Sequence, residues 1–260
     1  MANGKKTEGK ENVLKIAGRK QPAGAEVQRT KSGMVLIPGV ATQRFKTLLI
    51  GESPLMVHKF SEKMRKAILD KHMGEATAGR DRKDPEANFQ AARYRLTDGS
   101  DGVPAGGMKA AIVKGFIKGS GVFITKAKGA IRVIADDPAT NLVRIIGPQD
   151  KTNWPKIEND GKGGVVRNAT GVIDIRHRPQ FWPWGLAIEV EFLPSVTSMS
   201  QVLQAVAVAG FIEGLCEWRP GSKQSLSGSF GTWRLATAEE AEAFERGELF
   251  GPPKKVRRIA

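Results

Sequence analysis

The chain has 260 residues, 40% of them hydrophobic, and carries 41 Lys and Arg against 27 Asp and Glu, a formal net charge of +14. That apolar content supports a sizeable core, and the charge excess points to a polyanionic partner. No apolar run approaches the roughly 18 residues of a membrane-spanning helix; the longest, near Val202 to Leu215, is broken by Gln204, Gly210 and Glu213.

Residues 1–38 are rich in Gly, Lys and Thr and read as a basic, flexible arm, Lys-rich but without the apolar segment of a secretory signal. A strand is expected over Ala41 to Ile50. Ser61 to Met73 follows as a helix with Met64, Ala67, Ile68 and His72 on one face, and Gly74 to Ala91 reads as a polar surface excursion. Together these make an insertion over about 60–93. From Pro104 a helix begins, with Met108, Ala111, Ile112, Gly115 and Phe116 on one apolar stripe. Strands are predicted over Ile131 to Ala135 and Leu142 to Ile146. Strands are also predicted over Thr170 to Arg176 and Trp184 to Leu193, and Gly171–Arg176 with Gly185–Phe192 reads as a hairpin whose tip, Arg176 to Trp184, carries Arg176, Arg178, Phe181, Trp182 and Trp184.

Met199 to Leu215 has the pattern of a helix capped by Ser195 or Thr197, with Val202, Val206 and Ala209 inward. A Gly-rich loop follows, and then a strand over Phe230 to Leu235 and a short acidic helix over Ala238 to Arg246. Residues 249–260 form a basic tail in which Pro252-Pro-Lys-Lys-Val-Arg-Arg258 has the look of a nuclear-import signal. The order predicts an α+β fold: a decorated ferredoxin-like β-α-β-β-α-β arrangement with one antiparallel sheet and its helices on one face. Residues 39–248 then form the functional domain. Cys216, the single cysteine, permits no internal disulfide and indicates a reducing compartment, the cytoplasm of a bacterium or of a phage-infected cell.

The chemistry these residues permit is binding of a single nucleic-acid strand, cations meeting phosphates and flat groups meeting bases. Candidate contacts are Lys59 and Lys63 in the insertion, and Lys109, Lys114 and Lys118 on the helix after Pro104. Arg176, Arg178, Trp182 and Trp184 at the hairpin and Trp218, Arg219 and Lys223 in the loop complete the set. For the lysines the alternative is a solvated face, and for the tryptophans core packing.

Two stretches carry a resemblance to a known family. Val103-Pro-Ala-Gly-Gly-Met-Lys-Ala-Ala111 is similar to the helix start of the RAMP superfamily, the RNA-recognition-fold proteins that form the backbone of CRISPR effector complexes. The loop from Gly210 to Gly231 is similar to its C-terminal glycine-rich loop, although Lys223 to Gly228 is stretched between glycines. Glu217-Trp-Arg-Pro220 before Gly228-Ser-Phe-Gly231 resembles phage-encoded relatives more closely. The resemblance spans about 42–236 and implies non-catalytic binding along a ring or filament of identical subunits, or within a nucleoprotein complex, with no cofactor.

Two other classes stay open. A RAMP-like endoribonuclease would use His177 or His58 as general acid or base, and a phage structural protein or CRISPR decoy would use the charge for packaged DNA or a guide strand. Asp136 and Asp137 are adjacent rather than on one face. No paired Cys or His spacing of a metal site and no nucleotide-binding glycine pattern is present, which speaks against metal- or ATP-dependent chemistry.

Overall fold

The computed structural model describes residues 28–29, 32, 35–36, 39–75, 83–120, 123–167, 171–223 and 226–251. It divides into a unit over Met1–Val40 and a second over Ala41–Ala260. In the first, β1 (Gln28–Arg29) pairs antiparallel with β2 (Val35–Leu36). The rest of the expected N-terminal arm and residues 252–260 of the expected tail lie outside the described residues.

The second unit is built on four strands: β3 (Gln43–Gly51), β6 (Ile131–Ile134), β12 (Gly185–Phe192) and β13 (Trp233–Leu235). Their spatial order is β13-β3-β12-β6, every neighbour antiparallel. Two helices, α3 (Ala105–Ser120) and α5 (Met199–Ile212), complete the predicted β-α-β-β-α-β order. This is the ferredoxin-like α+β arrangement expected from the element order. Alternation in β12 explains which face the helices cover: Leu186, Ile188, Val190 and Phe192 are buried, while Ala187 and Glu189 between them point the other way. Each such side chain contributes on the order of 1.5–3 kcal/mol.

The predicted stripe of α3 is buried throughout, and Val202, Val206 and Ala209 of α5 pack into the same core. Gly115 sets how closely the helices approach, because a Cβ there would collide with the Ala205 carbonyl oxygen. The cap of α5 is Ser198, one residue past the expected Thr197, in a capping box with Gln201.

RNA-recognition folds stack bases on aromatic residues of the open sheet face. Here that face carries ion pairs, Arg44 and Arg132 with Glu191 and Lys46 with Glu189. Leu48 and Ile50 beside them are covered by Leu249. Leu249 to Gly251, expected in a free tail, are thus docked after α6 (Ala238–Glu245).

The periphery departs from the sequence expectations in three places. The helix predicted over Ser61 to Met73 forms as α1 (Glu62–His72), capped by Ser61 and following the short strand β4 (Leu55–Met56), but it buries none of its residues. His72 is therefore exposed rather than packed. Within the expected surface excursion, α2 (Pro85–Ala91) forms behind the cap Asp84 and buries Phe89. Strand β5 (Gly102–Pro104) pairs with β7 (Leu142–Arg144), and α4 (Ile124–Ala130) leads into β6.

The third departure is the hairpin. β10 (Ile173–Arg176) pairs with β9 (Gly164–Arg167), not with β12. β11 (Pro179–Phe181) pairs with β4 and with β8 (Lys156–Ile157). The segment expected at an exposed tip is therefore the middle strand of a small sheet. No helix among the described residues is long and apolar enough to cross a membrane.

Candidate nucleic-acid interface

The loop after α5 is fixed by backbone hydrogen bonds rather than by regular structure. Leu215 N–H donates to Gly231 O at 2.9 Å, Glu217 N–H to Met56 O at 2.9 Å, Gly221 N–H to Glu213 O at 2.9 Å and Phe230 N–H to Trp218 O at 3.0 Å. Cys216 (φ 62°) and Trp218 (φ 52°) are left-handed, a conformation that costs energy for residues with side chains and concentrates at functional sites. The indole of Trp218 stacks on Phe230 with ring centres 6.0 Å apart and is 40% exposed.

This loop faces β9, β10 and α3 across a cleft of about 1030 Å³. Lys114, Arg167, Arg176, Arg178, Arg219 and Lys223 line it, with Glu217 as the one carboxylate and Trp218 as the aromatic side chain. The fold thus brings together six of the residues predicted from sequence, namely Lys114, Arg176, Arg178, Trp218, Arg219 and Lys223. Arg167 was not anticipated. Its only local signal is the β-branched pair in Gly164-Val-Val-Arg167, which becomes informative once that strand pairs with β10.

Arg178 and Lys114 are bound to buried carboxylates. Arg178 is buried, its Nε and Nη2 each donating to a Glu158 carboxylate oxygen at 2.7 Å. Its Nη1 lies 3.5 Å from Glu217 without a hydrogen bond. Lys114 donates to Glu213 at 2.8 Å, and Lys118 to the other oxygen of the same buried carboxylate at 2.7 Å. Burial raises the Glu213 pKa, but hydrogen bonds from the two lysines and their charges outweigh it and leave the carboxyl below its ordinary value. These lysines are neither a solvated face nor unpaired phosphate contacts. Arg167, Arg176, Arg219 and Lys223 line the same cleft, Arg167 donating to the Gly171 carbonyl at 3.1 Å.

The remaining candidates lie elsewhere. Trp184 is a core residue, fully buried, with its indole N–H on Ser53 O at 2.7 Å, and so is not available to a base. Trp182 is 50% exposed but does not line the cleft. Lys59 and Lys109 are half-buried outside it, and Lys63 is exposed on α1. Trp233 is buried and donates to Val206 O, as a strand core residue does.

A second cavity, of about 300 Å³, adjoins the cleft and shares Lys114, Cys216, Glu217 and Arg219 with it. His58 lines this smaller space, and its pKa is lowered, first by burial and then by the Arg176 and Arg178 charges against the opposing pull of Glu217. His177 lines neither, and its Nδ1 is buried without a hydrogen bond. Burial pushes the Cys216 thiol up to about 12, so it stays protonated near neutrality. Among the described residues no three His, Cys, Asp or Glu side chains gather as metal ligands.

No protein-family model matches this chain, and no curated protein does. Among solved structures it is similar to Cmr6 from Pyrococcus furiosus, 9% identical, with a TM-score of 0.32 over 76% of this chain and 100% of that one. A likeness that slight carries no functional weight, and the site's own geometry has to.

Proposed function

We propose that this protein binds single-stranded nucleic acid without catalysing a reaction on it. The observation that carries the reading is the cleft in which Arg167, Arg176, Arg219 and Lys223 surround a half-exposed Trp218. Cations lining one cleft neutralise phosphates of a strand, and the exposed part of an indole held by Phe230 and Arg178 supplies an aromatic contact for a base. Arg and Lys side chains on phosphates read no sequence, so affinity for the strand as a whole is expected to be general.

Assembly of copies along the strand, as a ring, a filament or part of a larger nucleoprotein complex, belongs to the same proposal. Its support is α1, where Met64, Ile68, Leu69 and Met73 are exposed on a helix that buries nothing against its own chain.

The test is fluorescence anisotropy with labelled RNA and DNA strands of ~30 nucleotides across a salt series. If about four phosphates are contacted, log Kd changes with log salt with a slope near 3. Absence of binding at low salt, or binding indifferent to salt, overturns the proposal. Gel analysis of the RNA after incubation addresses the endoribonuclease alternative: cleavage abolished by His58→Ala would establish it instead. Electron microscopy with and without a long strand tests assembly.

A further inference from the structure

We infer that the smaller cavity is a nucleobase pocket selective for guanine, resting on the proposal that a single strand occupies the adjoining cleft. Besides Lys114, which is bonded to Glu213, four polar side chains line this space: His58, Tyr94, Glu217 and Arg219. None of them makes a hydrogen bond to another described residue, although Glu217 lies 3.5 Å from Arg178. Apolar walls with a few convergent polar groups are what small-ligand sites present. At about 300 Å³ the space suits a single base rather than a whole nucleotide chain.

One wall is the face of α3 formed by Gly107, Ala110 and Ala111, whose small side chains leave a flat surface for a ring to lie against. Glu217 lines both spaces, so its carboxylate meets a base whose phosphate stays among the cations of the cleft. Arg219 and Lys114 are shared in the same way.

The carboxylate decides the base. Ionised Glu accepts hydrogen bonds and donates none. Among the standard bases only guanine offers two adjacent donors on one edge, N1–H and the 2-amino group. Adenine and cytosine set one donor beside an acceptor that would oppose the carboxylate lone pairs, and uracil sets one N–H between two carbonyls. A guanidinium would fit the same carboxylate, but Arg178, Arg219 and Lys114 repel a second cation and favour a neutral ring. His58, held neutral near pH 7 by the burial described above, supplies one donor and one acceptor, and the Tyr94 hydroxyl either.

The experiment compares pyrimidine strands of ~20 nucleotides containing isolated guanines with the same strands in which inosine, lacking the 2-amino donor, replaces them. Tighter binding of the guanine strand by about ten-fold is expected, the scale of one bidentate base contact. Glu217→Gln should abolish that difference, while the loss of one negative charge from the cleft raises affinity for both strands alike. Ala110→Phe, at an exposed helix position, should fill the pocket and abolish the difference too.

Equal affinity of the unaltered protein for both strands, or a guanine preference that survives Glu217→Gln in folded protein, overturns the inference. Guanosine and inosine monophosphates, titrated without any strand, supply the second source of the same edge. If no strand binds, the proposed function fails, and the pocket then stands on a Glu217-dependent preference for the guanosine nucleotide or falls without one.

Discussion

The guanidinium of Arg178 lies 5.2 Å from the centre of the Trp218 ring, over its face. A buried ion pair and the exposed aromatic of the cleft are therefore parts of one contact. Glu158 fixes Arg178, Arg178 and Phe230 support the indole from neighbouring elements, and the left-handed backbone at Trp218 holds the ring at the cleft.

Removing either half of the Arg178–Glu158 pair leaves a buried charge uncompensated. Arg178→Ala or Glu158→Ala should each cost about 3–5 kcal/mol of stability. The double replacement by Met and Leu, tested by urea unfolding, should recover most of that loss. Single variants as stable as the original would show that the pair carries no such constraint.

The tryptophans separate by burial. Trp184→Ala should cost about 3–5 kcal/mol of folding, with normal strand affinity in whatever remains folded. Trp218→Ala should lose about 1–3 kcal/mol of binding and, since it also removes the contacts with Arg178 and Phe230, some stability, but less than Trp184→Ala. Trp182→Ala, exposed but away from the cleft, should change neither. Melting curves and anisotropy on the three variants would expose a reversed order.

Lys114 and Lys118 share the buried carboxylate of Glu213, so replacing both with Met should destabilise the fold by about 3–5 kcal/mol. Lys109→Met serves as the comparison, since Lys109 has no side-chain partner among the described residues, and should leave Tm nearly unchanged. Equal melting of the double variant and Lys109→Met would contradict the geometry at Glu213.

Acid should reveal Glu213 and Glu240. The paired hydrogen bonds from Arg234 hold Glu240 at about 2, against an ordinary value of 4.5. A carboxylate whose pKa is depressed by folding adds stability that is complete above its unfolded value and is lost as pH falls through the folded one. Tm should therefore decline from about pH 4.5 toward pH 2. Glu240→Gln should flatten part of that decline and be less stable than the unaltered protein at neutral pH. An unchanged acid limb in this variant would remove Glu240 from the account.

Periodicity made much of this molecule legible in its sequence. The stripes of α3 and α5, the alternation of β12 and the order of elements all rest on repeats of 3.6 or 2 residues that every local window carries. They sufficed for the β-α-β-β-α-β layout and for the loop as the place where cations and an aromatic meet. Strand pairing was not legible in this way, because β10 could satisfy its backbone on either β9 or β12, and only the packed structure selects β9. That choice turned the supposed hairpin tip into an inner strand, buried Arg178 against Glu158 and brought Arg167 to the cleft. Exposure was likewise settled by tertiary structure. Trp184 and Trp218 look alike in sequence, and so do Lys109 and Lys114. What separates each pair is what lies across from it: Ser53 for Trp184, the cleft for Trp218 and the Glu213 carboxylate for Lys114. Those neighbours are distant in the chain, and a side chain's burial and charge state follow from the groups around it in space.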